Sequence, residues 1–134
     1  MISTANLHST AREYLRAAKM LRTRRSYDAS VYLCGYAVEI ALKARICVAL
    51  EWTTGFPETN AEFQEKGPLL KTHNLRMLLE YTTLKSEVDL RLLKEWSELI
   101  AWSPEQRYNP IGTKTITDAD NMIAATQKLL RILL

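Results

Sequence analysis

Apolar residues recur along this chain at intervals of three and four, and the places where that rhythm fails divide it into segments. Leu7, Ala11, Tyr14, Leu15, Ala18 and Leu21 share one helical face while Arg12, Arg16, Lys19 and Arg22 share another, which predicts an amphipathic first helix over about 4–24. After the break at Arg25-Ser26-Tyr27, Asp28 is placed to cap a second helix running to about Glu51. This helix is apolar on two sides: Leu33, Ala37, Ile40, Ala44 and Val48 form one stripe, and Val31, Val38, Leu42 and Ala49 another. Such a helix is either central in its own fold or shared with a second protein, and the expectation is sharing, in a homodimer through the second helix.

From Trp52 to Lys71 the rhythm is interrupted by Gly55, Pro57, Gly67 and Pro68, with one short helix at 59–66 where Thr59 and Glu62 have capping-box spacing and Gly67 ends it. A further helix is predicted over about 72–81, with Leu75, Leu78 and Leu79 inward, and a longer one over 86–102, with Val88, Leu92, Trp96, Leu99 and Ile100 inward. Ser103-Pro104 stops it, and EQRYNPIGTK, with Pro110 and Gly112, reads as a loop. Thr117 is expected to cap a last helix whose Asp118 and Asp120 suit its positive end and whose Met122, Ile123, Leu129, Leu130 and Leu133 close the core. No strand signal or repeat appears, so residues 1–134 are expected to form a single all-α domain, an up-and-down bundle of four or five helices.

Composition agrees with this, at 47% hydrophobic and 25% charged residues with four Gly and four Pro. Eighteen basic against fifteen acidic residues give a net charge of +3, which permits nucleic acid as a partner without arguing for it. Cys34 and Cys47 fall on one predicted helix, so their Cα atoms are roughly 20 Å apart at ~1.5 Å rise per residue. That is beyond disulfide reach, and two buried thiols make a cytoplasmic setting the expectation. No apolar run approaches a membrane span or a signal peptide.

The chain lacks most conventional catalytic patterns. His8 and His73 lie on different predicted helices without partners at ligand spacing, so no metal site and no cofactor is expected; His73 reads as a residue opening its helix. GxxxxGK[ST] and GxGxxG are both absent. Three constellations remain. Tyr32, Tyr36, Glu39 and Lys43 lie on one stripe of the second helix, with Glu39 and Lys43 in the order that favours an ion pair of roughly 0.2–0.5 kcal/mol; the plain alternative is an interfacial edge, where tyrosines are at home. Arg107-Tyr108 places a guanidinium that can hold phosphate beside a phenol that can stack on a base, or else is a loop anchor with Arg107 paired to Glu105 or Glu39. Arg12, Arg16, Lys19 and Arg22, extended by Arg24 and Arg25, form a basic stripe that reads most simply as a solvated face.

Taken together, the break at Ser26-Tyr27-Asp28, the segment GYAVEIALKA, the segment HNLRMLL beginning at His73 and the Arg107-Tyr108 loop before the last helix resemble the HEPN domain over nearly the whole chain. The resemblance implies an all-α bundle that dimerises around a cleft, in a superfamily split between metal-independent ribonucleases and non-catalytic nucleotide- or RNA-binding members. Many are paired with a small nucleotidyltransferase in toxin–antitoxin or defence systems. Catalytic members follow the loop Arg with a His after four to six intervening residues. Arg107 matches the Arg, but the residues after it contain no His, and Lys114 is the one basic residue in that window. Since Arg does not deprotonate and His is the side chain suited to taking a 2′-hydroxyl proton, the expectation is a non-catalytic protein that holds a nucleotide or RNA phosphate. In that reading Arg107, Tyr108, Tyr36, Glu39 and Lys43 line the dimer cleft. The alternatives are a ribonuclease in which Arg107 works with Lys114 as substitute base, and a protein–protein interaction module without a small ligand.

Overall fold

The computed structural model describes residues 1–134 and is helical throughout, as the periodicity predicts. Its seven helices are α1 (Thr4–Thr23), α2 (Tyr27–Ala49), α3 (Asn60–Lys66), α4 (Leu75–Glu80), α5 (Lys85–Arg91), α6 (Leu93–Leu99) and α7 (Ile116–Leu133), with 3-10 turns at Pro68–Leu70 and Pro104–Tyr108. The one piece of extended pairing is a bridge in which Ile2 and Phe56 exchange N–H···O bonds of 2.9 and 2.8 Å. No helix is long and apolar enough to cross a membrane.

Four of the seven helices, α1, α3, α4 and α7, start behind a side-chain oxygen that accepts an otherwise unpartnered N–H group. Ser3 caps α1 by accepting from Asn6, and Asn74 caps α4 by accepting from Met77. Thr59 and Glu62 form the capping box anticipated for α3. Glu62 accepts from the backbone N–H groups of Glu58 and Thr59 and from the N-terminal amine, which together hold its carboxyl down at about 2. Two expected caps are displaced. Helix α7 is capped by Thr115, boxed with Asp118, two residues before the expected Thr117, while Arg22 of α1 holds the Asp120 carboxylate through two bonds of 2.7 and 3.1 Å. Helix α2 begins behind Ser26, one residue before Asp28, and the Asp28 carboxylate turns away from the helix to accept from Gly112 and Lys114.

α2 is central within its own chain. α1 and α7 pack along it and α4 and the Pro104–Tyr108 turn close other sides. Val31, Val38 and Leu42 of one expected stripe and Ala37 and Ala44 of the other are buried together, and of those positions only Val48 is exposed. This chain itself thus covers most of both stripes, leaving Leu33, Ile40 and Ala49 half-buried and Val48 exposed. Against α1 the approach is close: Ala11, Ala18, Ala37, Ala41 and Ala44 are all fully buried, and the Ser30 hydroxyl donates to the Ala18 carbonyl at 2.8 Å. Both cysteines are free and buried, and desolvation pushes the Cys34 thiol up to about 12.

The helix expected over 86–102 is two helices, α5 and α6, meeting at Leu92 (φ −129°). Neither Pro nor Gly marks the bend. Leu92 closes the α5 ladder by donating to Val88 and opens that of α6 by accepting from Trp96, each at 2.8 Å, and Val88, Leu92, Trp96 and Leu99 stay in one core. Because α6 ends at Leu99, Ile100 is 40% exposed rather than inward, and Trp102 is buried in its place.

Candidate functional site

One polar stripe of α2, spaced by three and four residues, holds the irregular parts of the molecule in place. Asp28 begins it, binding the Gly112 N–H at 2.9 Å and the Lys114 N–H at 3.0 Å and so tethering the loop before α7. One turn on, the Tyr32 carbonyl accepts from the Trp102 indole N–H at 3.1 Å. The Trp102 ring then lies against Tyr36, centroids 5.0 Å apart and edge to face, with Tyr32 packed edge-on to Tyr36 at 5.1 Å. Gly35 makes this contact possible, since a Cβ there would stand 2.1 Å from the indole. The Tyr36 phenol is pushed up to about 12, first by its hydrogen bond with the Tyr32 hydroxyl and then by burial, against the opposing charge of Arg107.

Farther along the stripe, Glu39 is 2% exposed. Its Oε1 accepts from Lys43 Nζ at 2.7 Å, the pairing that the spacing suggests, and also meets His73 Nδ1 at 2.9 Å. Its Oε2 is buried without a partner. Glu39 does not reach Arg107, and at this depth it cannot touch a ligand directly; what it does is hold Lys43 and dock the segment before α4 onto α2. His73 thus does more than open a helix: Asn74 is the cap, and the imidazole just outside it is the docking group. Lys43 is half-buried, with its ammonium 5.5 Å from the centre of the Phe56 ring.

Between the two docked segments, 72–76 and 100–105, lies a cleft of about 710 Å³, lined on its polar side by His73, Asn74, Arg76, Ser103 and Glu105. The Glu105 carboxyl is held below its ordinary value by its own backbone N–H and the Ser103 hydroxyl, with the charges of Arg107 and His73 adding to the effect.

Arg107 and Tyr108 occupy the 3-10 turn that Pro104 opens. The Arg107 guanidinium donates to the Pro104 carbonyl at 3.1 Å and stands 4.6 Å from the centre of the Tyr108 ring. It makes no ion pair with Glu105 or Glu39, and the neighbouring Tyr108 and Tyr32 hydroxyls raise it further above its ordinary value. Tyr108 is 75% exposed. The five expected ligand-binding residues therefore fall into two groups. Arg107, Tyr108 and Tyr36 gather around Tyr32 and Trp102, whereas Glu39 and Lys43 form a separate network with His73. Lys114 lies with neither, on the loop fastened to Asp28.

Trp102, Gly35, Asp28 and His73 organise the site, and sequence reading gave none of them that role. A glycine inside an otherwise strong helix is itself a signal of close approach, so Gly35 was open to detection. His73 was not, because it meets Glu39 across 34 positions with no local pattern. No three His, Cys, Asp or Glu side chains converge as a metal-holding group. No family model, curated protein or solved structure matches the chain.

Proposed function

We infer that this chain is a non-catalytic, HEPN-like up-and-down bundle that binds a nucleotide or RNA through its phosphate. The observation that carries this reading is the Arg107-Tyr108 turn: a guanidinium without a carboxylate partner, set over an exposed phenol and backed by the Tyr32, Tyr36 and Trp102 rings. A guanidinium fork matches phosphate geometry, and an adjacent exposed ring takes a base. The same reading gives the protein a homodimeric state and a separately encoded nucleotidyltransferase as partner, in a toxin–antitoxin or defence setting. With the core stripes of α2 covered, what that helix offers a second copy is its half-buried strip at Tyr36, Ile40 and Lys43.

One observation favours the ribonuclease alternative. Glu39 holds the His73 imidazole by Nδ1 at the edge of the cleft, an arrangement in which a buried carboxylate orients a proton-accepting ring. A titration of labelled single-stranded RNA, scored for retention and for cleavage, separates the two. Binding without cleavage is expected, weakened about tenfold or more by Arg107→Ala, in keeping with ~1.5–3 kcal/mol for a hydrogen bond to a charged group. Cleavage abolished by His73→Ala establishes the ribonuclease instead, and neither retention nor cleavage removes both.

A further inference from the structure

The cleft between 72–76 and 100–105 carries two opposite charges that do not neutralise one another. Arg76 on one wall and Glu105 on the other are both exposed, and neither forms an ion pair with the other or with any further residue. Apart from the His73 imidazole they are the only ionisable side chains of the lining, so the cleft is electrically balanced. A balanced pair held apart suits a ligand that is itself a zwitterion, whereas a phosphate would meet the Glu105 carboxylate as a like charge. The remaining polar groups divide in the same way. Asn74 uses its carbonyl oxygen to accept from Met77 at 3.0 Å, which leaves its NH2 to donate on the Arg76 wall. His73 meets Glu39, a carboxylate already paired with Lys43, through Nδ1, so in the neutral ring Nε2 is left as an acceptor. Glu105 is fixed by its own backbone N–H and by the Ser103 hydroxyl, and its other lone pairs are open. Ile100, 40% exposed, adds apolar surface, while Trp102 is buried, so no indole or phenol on these walls is open to a base. The volume of about 710 Å³ lies in the range of ~300–1,000 Å³ that holds drug-sized molecules, which gives room for two or three residues rather than one amino acid.

We propose that this cleft binds a short peptide with both termini free, its carboxylate on Arg76 and Asn74 and its ammonium on Glu105 and His73. Glu39 acts at one remove, as a positioning residue that fixes the imidazole. The proposal does not rest on the phosphate reading of Arg107, which is not part of the cleft lining.

The test is isothermal titration calorimetry with alanyl-leucine and alanyl-alanyl-leucine, each also in its N-acetylated and its C-amidated form. The free peptides should bind, and either block should weaken binding about tenfold or more, as expected when a hydrogen bond to a charged group is lost. Arg76→Gln should weaken the free peptide to a similar degree and leave the C-amidated form no weaker than it was. Glu105→Gln should stand in the same relation to the N-acetylated form, since each variant and its matching block remove one contact. Both side chains are exposed, so melting temperature should hold and misfolding is separable from lost contact. Blocked peptides that bind as tightly as free ones, a variant that weakens free and matching blocked forms alike, or no binding of either free peptide up to millimolar concentration overturns the proposal. Displacement of the peptide by uridine monophosphate, lost in Arg76→Gln, overturns it too and assigns the cleft to phosphate.

Discussion

Gly35 costs α2 roughly 1 kcal/mol relative to alanine in backbone entropy, and the structure shows what that cost makes room for. The Trp102 indole lies flat over it, hydrogen-bonded to the Tyr32 carbonyl, so the segment carrying Arg107 is held to α2 through a position without a side chain. Gly35→Ala is therefore expected to destabilise the fold despite its better helix propensity. A methyl group 2.1 Å from ring atoms is overpacked, and such insertions cost ~1–3 kcal/mol, more than propensity returns. Urea unfolding measures the net sign, and near-ultraviolet circular dichroism shows whether the indole has left its place. A midpoint equal to or above that of the parent contradicts the packing described. Residues of this kind are only partly legible in sequence. The Glu39–Lys43 pair follows from a spacing of four, and the absence of a bond between the two thiols follows from their positions on one helix. The partner of Glu39 does not, because His73 arrives through tertiary docking.

At the scale of elements, what the chain advertises is helix and cap, and what it conceals is which of two equivalent choices the tertiary structure uses. Thr115-x-x-Asp118 and Thr117-x-x-Asp120 have identical spacing, the first forms the capping box, and Asp120 is bound to Arg22 on another helix. The bend at Leu92 has no breaker, and Val88, Leu92, Trp96 and Leu99 keep the helical spacing that a single straight helix would also show, so nothing in the sequence marks it. Asp28 looks like a cap and acts as a tether. If that is its role, Asp28→Ala should leave α2 intact and free the loop before α7. The amides of Gly112 and Lys114 should lose most of their hydrogen-exchange protection, at a cost of about 1–2 kcal/mol for two bonds to a partly exposed carboxylate. Residue-resolved exchange by NMR reads this directly, and retained protection at both amides shows that something other than Asp28 holds the loop.

For the molecule as a whole, the distribution of burial predicts a hierarchy of opening. α1, α2 and α7 are the long helices, they bury their faces on one another, and α2 is enclosed on most sides. Helix α3 contributes Phe63 alone to the buried core, and the Pro104–Tyr108 turn contributes only Pro104. Segments with few buried contacts open at free energies far below the global value, and ligand-binding elements are drawn from that low end. Native-state hydrogen exchange in increasing sub-denaturing urea should accordingly resolve two classes. Amides of α2 from Cys34 to Leu42 should exchange only through global unfolding, with a steep dependence on urea, while those of α3 and of Arg107 to Lys114 should exchange through local openings that urea scarcely affects. An Arg107 segment that opens only with the global transition contradicts this ordering, since it places the exposed turn in the same cooperative unit as the core. The expected outcome instead gives Arg107 and Tyr108 the freedom to adjust that the proposed phosphate and base would require, while Trp102 and the α2 stripe keep the base of the turn in register.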